Sequence, residues 1–311
     1  MITRLDIQQA EQRTHAFVRR TPTFHASATL SFKLEFLQHT GTFKARGAFN
    51  RQMAARERNE LDATIGIVVA SGGNAGIANA YAASVLGVPA TVFVPETAPA
   101  VKVALLRTLG ATVVQTGREY VEAFDAATVF ATQSGALFCH AYDQAEIAAG
   151  AGVLAEEMLA DDPALDTIVV AVGGGGLLAG VLAAVDGRAN VVAVEPERAP
   201  TLHSALAAGA PVDVTVGGIA ADSLGARRIG SIGFDQALAA QAIRPEALRS
   251  VLVTDDEIVA ARAALWRDYR IPSEYGAAAA AAALASGAYR PRSDERVGVI
   301  VCGANTDASS L

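Results

Sequence analysis

Gly66-Ile67-Val68-Val69-Ala70-Ser71-Gly72-Gly73-Asn74-Ala75-Gly76 is the stretch that decides how this chain of 311 residues folds. Its first half is a short β-branched run, the composition of a buried strand. Its second half is a turn of small residues that passes into a helix-forming run, Ile77 to Leu86. Gly87-Val88-Pro89 stops that helix, and the unit then repeats. Ala90 to Pro95 reads as strand, Val101 to Leu109 as helix, Ala111 to Val114 as strand, Tyr120 to Ser134 as helix and Leu137-Phe138-Cys139 as strand. Parallel neighbours need a crossover connection, so this alternation predicts βαβ units around a parallel sheet.

Outward from there the rhythm holds in both directions. Upstream, Asp6 to Arg13 reads as a helix capped by the aspartate and ended by Arg20-Thr21-Pro22, and Phe32 to Phe36 alternates like a short strand. Downstream come a helix from about Glu146 to Leu159, a strand at Thr167 to Val172, further strands at Asn190 to Val194, Leu248 to Val253 and Val297 to Val301, and a tightly packed helix from Gly276 to Ala288. The expected fold class is α/β with two parallel-sheet αβα domains. Residues 1–46 plus 148–311 form the larger one and 47–147 the smaller.

Composition narrows the partners. Hydrophobic residues are 51% and charged residues 18%, which gives a globular chain with heavy burial. A net charge of −7 opposes non-specific binding to nucleic acid or an anionic membrane, since both need a basic footprint. Cys139 and Cys302 are the two cysteines, too few for a disulfide framework, and Met1 to Asp6 lacks the apolar run of a signal peptide. The expected location is the cytoplasm.

Three turns carry chemistry. Thr40-Gly41-Thr42-Phe43-Lys44-Ala45-Arg46-Gly47-Ala48 puts a lysine beside a glycine bend and an aromatic ring. Desolvation there lowers the ammonium pKa, as a Schiff-base lysine or lysine general base requires. Lys33 and Lys102 lack such a turn. Gly173-Gly174-Gly175-Gly176-Leu177 follows the strand ending at Val172 and opens a helix, which leaves bare N–H groups at its positive end: a phosphate cup without the Gly-Lys-Ser/Thr of a Walker loop. The Ser71 to Gly76 turn offers donors for a carboxylate or an aromatic hydroxyl. His39 and His140 flank these turns and read as packing residues, and Cys139 as an inert strand residue.

In this order the turns resemble the fold type II pyridoxal-phosphate enzymes, whose fold is that of the tryptophan synthase β-subunit, and within them the serine/threonine dehydratase family. The resemblance spans nearly the whole chain and adds Cys302-Gly303-Ala304-Asn305 after the last strand. It implies pyridoxal 5'-phosphate as cofactor, in Schiff-base linkage to Lys44, with Phe43, Asn74, Gly173, Gly174, Gly175, Gly176, Leu177 and Cys302 around it. Asn74 would face its phenolic oxygen and Cys302 its ring nitrogen. It implies Thr42, Ser71, Gly72, Asn74 and Ala75 as the surroundings of a small amino-acid substrate, and a homodimer. The implied reaction is β-elimination from L-threonine or L-serine to a 2-oxo acid and ammonia, with Lys44 as the α-proton base and the cofactor phosphate as proton donor to the leaving hydroxyl. Hydroxyaspartate dehydratase, serine racemase, threonine or cysteine synthase and a non-enzymatic metabolite-binding module are the alternatives.

Several departures from the family pattern qualify this reading. Thr42 stands where serine is commoner. Racemases of the family carry a serine base where Gly72 stands here. Glu195, Ala199 and Thr201 resemble its cation site, and Thr201 replaces an aspartate of divalent-dependent relatives, so K+ or Na+ is expected. Glu274 matches a glutamate near the cofactor, although Tyr275 replaces the usual proline. The chain stops at Leu311 without space for the regulatory domain of biosynthetic threonine deaminases, so feedback by isoleucine is not expected.

Overall fold

In the computed structural model, which describes residues 1–310, strands and helices alternate through two sheets. Helix α1 (Arg4–Thr14) precedes β1 (Thr23–His25) and β2 (Leu30–Leu34). Next come α2 (Lys44–Glu57), β3 (Ile67–Ala70), α3 (Asn74–Leu86), β4 (Ala90–Val94), α4 (Ala100–Thr108), β5 (Thr112–Gln115), α5 (Tyr120–Ser134) and β6 (Leu137–Phe138). The chain continues through α6 (Ala145–Asp161), β7 (Thr167–Ala171), α7 (Gly176–Val185), β8 (Asn190–Pro196), α8 (Thr201–Ala208), α9 (Ala221–Leu224) and α10 (Ser231–Ile243). It closes with β9 (Leu248–Val253), α11 (Asp255–Tyr269), α12 (Tyr275–Ala285) and β10 (Val297–Val301).

The larger sheet runs β1-β2-β10-β7-β8-β9 and the smaller β5-β4-β3-β6. All pairings are parallel except β1 with β2. Every strand of the smaller sheet falls within residues 47–147, and every strand of the larger falls outside them. Strands β7 and β10 are buried along their whole length, as continuous β-branched runs under helices on both faces must be.

Local chemistry moves some boundaries. Thr3, not Asp6, is the N-cap of α1: a threonine hydroxyl reaches the N–H of residue 6, while the Asp6 carboxylate returns to the Thr3 N–H at 2.7 Å. That helix ends at Thr14, well before Pro22. The strand expected at Phe32 to Phe36 lies at Leu30–Leu34 instead. Glu35 leaves the sheet in a short turn because its carboxylate is drawn inward.

What draws it in is Arg46. Its guanidinium is fully buried and bonds Glu35 through Nε and Nη2 at 2.8 Å each, and Glu157 of α6 through Nη1 and Nη2 at 2.8 Å each. Lys33 of β2, equally buried, donates to Glu157 at 2.5 Å and to the Thr21 carbonyl at 2.7 Å. Two acids and two bases thus balance beneath the first turn of α2 and tie it to the larger sheet. The helices also close together through small residues. A Cβ on Gly150 of α6 would lie 2.6 Å from the Arg46 carbonyl oxygen, so only glycine lets α2 settle here.

Candidate active site

The lysine turn is held by the end of β10. The Phe43 N–H donates to the Cys302 carbonyl at 3.0 Å, the Ala304 N–H to the Gly41 carbonyl at 3.0 Å, and Thr42 bridges Gly303. Thr40, at φ 65°, makes the sharp entry to this turn. Lys44 is therefore delivered at the first turn of α2, at the carboxyl edge of the larger sheet, where open α/β folds place ligands. Its amine rests on the Ala141 carbonyl at 2.8 Å and lies 5.0 Å from the centroid of the Phe43 ring. Burial pulls its pKa down to about 8, against the opposing pull of Cys302 and Glu274.

Beside it opens a cleft of about 480 Å³, mouth included, within the range of small-molecule sites. Phe43, Lys44, Asn74, Gly173, Gly174, Gly175, Gly176, Leu177 and Cys302 all line it. The N–H groups of Gly173 through Leu178 donate to no protein acceptor among the described residues. They stand at the positive end of α7, and Gly175, at φ 87°, makes the bend that turns them inward. Unsatisfied donors converging on one cavity are what a phosphate requires, so the donor set fits a phosphorylated cofactor.

On the facing wall, Asn74 donates to both Glu274 oxygens at 2.9 and 3.1 Å and accepts from Asn305 at 2.8 Å. Burial raises the Glu274 carboxyl to about 7, with the Asn74 hydrogen bond opposing, so this acid changes protonation near neutral pH. Burial, reinforced by Glu274, also pushes the Cys302 thiol up, and it stays protonated. Thr42 lies buried under the turn with its hydroxyl 3.4 Å from the Lys44 N–H. Ser71, Gly72 and Ala75 sit in the turn behind Asn74, outside the lining of the cleft. The Ser71 hydroxyl there accepts from the Gly73 N–H at 3.2 Å.

Tyr142, Ser223, Leu224 and Glu274 also line the cleft. Of these, only Glu274 is singled out by the sequence. Ser223 lies in a four-residue helix with no periodic signal around it. Tyr142 follows His140, whose Nδ1 accepts from the N–H groups of Tyr142 at 3.1 Å and Asp143 at 2.9 Å, which leaves its proton on Nε2. Asp143 in turn accepts from the Ser231 and Ile232 N–H groups at 3.0 Å each, at the start of α10. His140 thus folds the loop that presents the Ala141 carbonyl to Lys44. His39 stacks on Tyr81 and bonds its hydroxyl at 3.1 Å.

Glu195 and Thr201 meet at the start of α8. The Glu195 side chain accepts from the Leu202 N–H at 2.7 Å and the His203 N–H at 2.8 Å and lies 3.0 Å from Thr201 Oγ1, whose one proton goes to the Gly173 carbonyl at 2.5 Å. Thr201 therefore links the helix to the glycine cup. Ala199 lies between them, its N–H on the Pro196 carbonyl at 3.0 Å. No cluster of three or more His, Cys, Asp or Glu capable of holding a metal occurs among the described residues, and no helix is long and apolar enough to cross a membrane.

Comparison with known proteins agrees with this geometry. The family described as pyridoxal-phosphate dependent enzyme matches residues 14–303. The chain is 36% identical to a phenylserine dehydratase of Ralstonia pickettii, covering 96% of this chain and 92% of that one. It is 36% identical to an L-threonine ammonia-lyase of Geobacter sulfurreducens, covering 98% and 76%. The crystal structure of serine racemase from Dictyostelium discoideum superposes with a TM-score of 0.88 at 32% identity, covering 98% of this chain and 99% of that one. A lysine turn, a bare glycine cup and relatives aligned across almost the whole of this chain converge, and the chain belongs to the serine/threonine dehydratase family of fold type II pyridoxal-phosphate enzymes.

Proposed function

We propose that this enzyme eliminates ammonia from L-threonine and L-serine, giving 2-oxobutyrate and pyruvate, as a cytoplasmic homodimer. The observation that carries the reading is the Lys44 amine, half-buried with its pKa at about 8, in the same cleft as the free N–H groups of Gly173 to Leu177. Those N–H groups would hold the cofactor phosphate, Asn74 and Cys302 would border its ring, and Lys44 would carry it. When bound, pyridoxal phosphate supplies the electron sink for the α-carbon. Lys44, uncharged at the upper end of the neutral range, takes the α-proton. The free N–H of Asn74, at the start of α3 and in the lining of the cleft, orients the substrate carboxylate.

Gly72 offers no second base, and a Cβ there would meet Val94 Cγ1 at 3.3 Å, so the loop gives a side chain little space. Purified holoenzyme incubated with either amino acid is expected to release equimolar 2-oxo acid and ammonia with no appreciable D-serine. Abundant D-serine would move the function to a racemase, and amino-acid products made with a phosphorylated or acetylated co-substrate would move it to a synthase. The K+ or Na+ reading of Glu195, Ala199 and Thr201 belongs to the same proposal: turnover should survive a chelator and respond to either ion.

The lowered Lys44 pKa also sets how the apoenzyme takes up cofactor. Attachment needs the neutral amine, whose fraction rises as pH climbs toward about 8 and then levels off. Reconstitution between about pH 7 and pH 9 should therefore quicken roughly tenfold, as a one-unit offset on either side of the pKa requires. A rate still rising steeply above pH 9 would place Lys44 in an unperturbed, solvated setting.

A further inference from the structure

Most polar side chains lining the cleft are already engaged by the protein. The Lys44 amine rests on the Ala141 carbonyl at 2.8 Å, Asn74 is held between Glu274 and Asn305, and the Tyr142 hydroxyl donates to the Arg228 carbonyl at 3.3 Å. The Ser223 hydroxyl and the Cys302 thiol bond no group among the described residues. Cys302 is buried at the end of β10, where it would border the cofactor ring. Ser223 is the hydroxyl that neither the fold nor the cofactor uses.

Its position is held from both sides. In α9, the Cα of Leu224 lies 3.0 Å from where a Cβ on Gly173 of the cup would stand, and the Asp222 carbonyl oxygen lies 4.0 Å from the same point on Gly73. The Asp222 carboxylate bonds Lys102 of α4, and the Ser223 N–H donates to the Ala220 carbonyl at 3.2 Å. The Ser223 hydroxyl rests against the bare Cα of Gly276, two residues beyond Glu274, and a Cβ there would overlap it. Helix α9 therefore runs from the phosphate end of the cleft to the turn before α3, with Ser223 between them.

A β-hydroxy amino acid spanning that gap has three polar groups. Its amino nitrogen goes to the cofactor and its carboxylate to the Asn74 N–H at the start of α3. The β-hydroxyl is the one left to place, and Ser223 is the donor that stands between the two ends. We propose that Ser223 recognises the β-hydroxyl and hydrogen-bonds its oxygen as the Cβ–O bond lengthens. The inference rests on the proposed elimination and names the residue that makes it selective for a hydroxyl leaving group. Ser223 makes and breaks no covalent bond in this role: its O–H donates to the β-oxygen, on which negative charge builds as it departs. The methyl that distinguishes threonine from serine takes no part in the contact, so both substrates gain from it.

The test uses holoenzyme with L-serine, L-threonine and 3-chloro-L-alanine, following each 2-oxo acid. Chloride leaves without a hydrogen-bond donor, so the third substrate reports every step except the one assigned to Ser223. Ser223→Ala should lower kcat/KM for serine and threonine by roughly tenfold more than for chloroalanine, as loss of one hydrogen bond to the departing oxygen requires. Ser223→Gly, which removes the hydroxyl and adds no bulk beside Gly276, should show the same split if the alanine variant folds poorly. Equal loss on all three substrates, or no loss, would overturn the contact and leave the elimination standing. If the parent turns over neither serine nor threonine, the proposed elimination falls, and serine is then a stable ligand whose binding calorimetry can measure against that of L-alanine. Tighter binding of serine that Ser223→Ala abolishes would uphold the contact. A preference that the variant keeps, or no preference, would overturn it.

Discussion

Lys44→Ala should abolish turnover and covalent attachment of pyridoxal phosphate, with the fold retained. The chain has three lysines, and their settings differ sharply. Lys33 is fully buried against Glu157 at 2.5 Å, and Lys102 is paired with Asp222 on the surface. Only Lys44 meets the cleft, and only its amine has a single neutral acceptor, the Ala141 carbonyl at 2.8 Å. General-base removal alone costs about 10²–10⁴ in rate, and loss of the covalent anchor adds to it. Borohydride reduction of the holoenzyme and peptide mapping should label Lys44 in the parent and nothing in the variant. A label on Lys102 or Lys33 would refute the assignment.

Arg46→Met should destabilise the protein more than any surface change. The substitution strands two buried carboxylates with Lys33 as their one remaining counter-charge, and breaking a buried ion pair in this way costs about 3–5 kcal/mol. Arg46→Lys keeps the charge but loses the fork that serves both acids, so it should recover only part of the loss. Urea unfolding with an unchanged slope reads both variants. The cluster also sets acid stability. Burial pushes the Glu35 carboxyl up, but the charge and hydrogen bonds of Arg46 hold it below its ordinary value. A depressed carboxylate contributes stability above its unfolded pKa and loses it as pH falls through the folded one. The parent should therefore lose stability as pH drops below the ordinary carboxylate range, and Arg46→Met should lose less of it there. Parallel acid profiles for the two proteins would show that Glu35 does not depend on Arg46.

The chain's periodicity made the architecture legible, and locality governed how far it went. The bounds of α5, β9 and β10 follow directly from runs with one period and clear stops. Strand β1 was not legible, because Thr23–His25 is three residues long and mostly exposed. The lysine turn and the glycine cup could be read because each is contiguous in sequence. The ionic cluster could not: Glu35 and Glu157 look like ordinary acids until the fold brings them to one guanidinium across 111 residues. Tyr142 and Ser223 were missed for the same reason. Glu195 was recognisable as a chemical residue, but its bonds to the Leu202 and His203 N–H groups appear only once α8 is in place.

The stitching of the lysine turn to the end of β10 has a consequence for biosynthesis. Thr40 is fixed by Asn305, which lies 265 residues further along the chain, and β2 has no parallel partner until β10 arrives. At translation rates of about 5–20 residues per second, Lys44 leaves the ribosome tens of seconds before the segment that locks its turn. The smaller sheet, complete by Phe138, has every strand it needs much earlier. On the ribosome, then, the reactive lysine waits unformed beside a finished neighbour, and a nascent chain cannot acquire a working active site until its last strand has emerged.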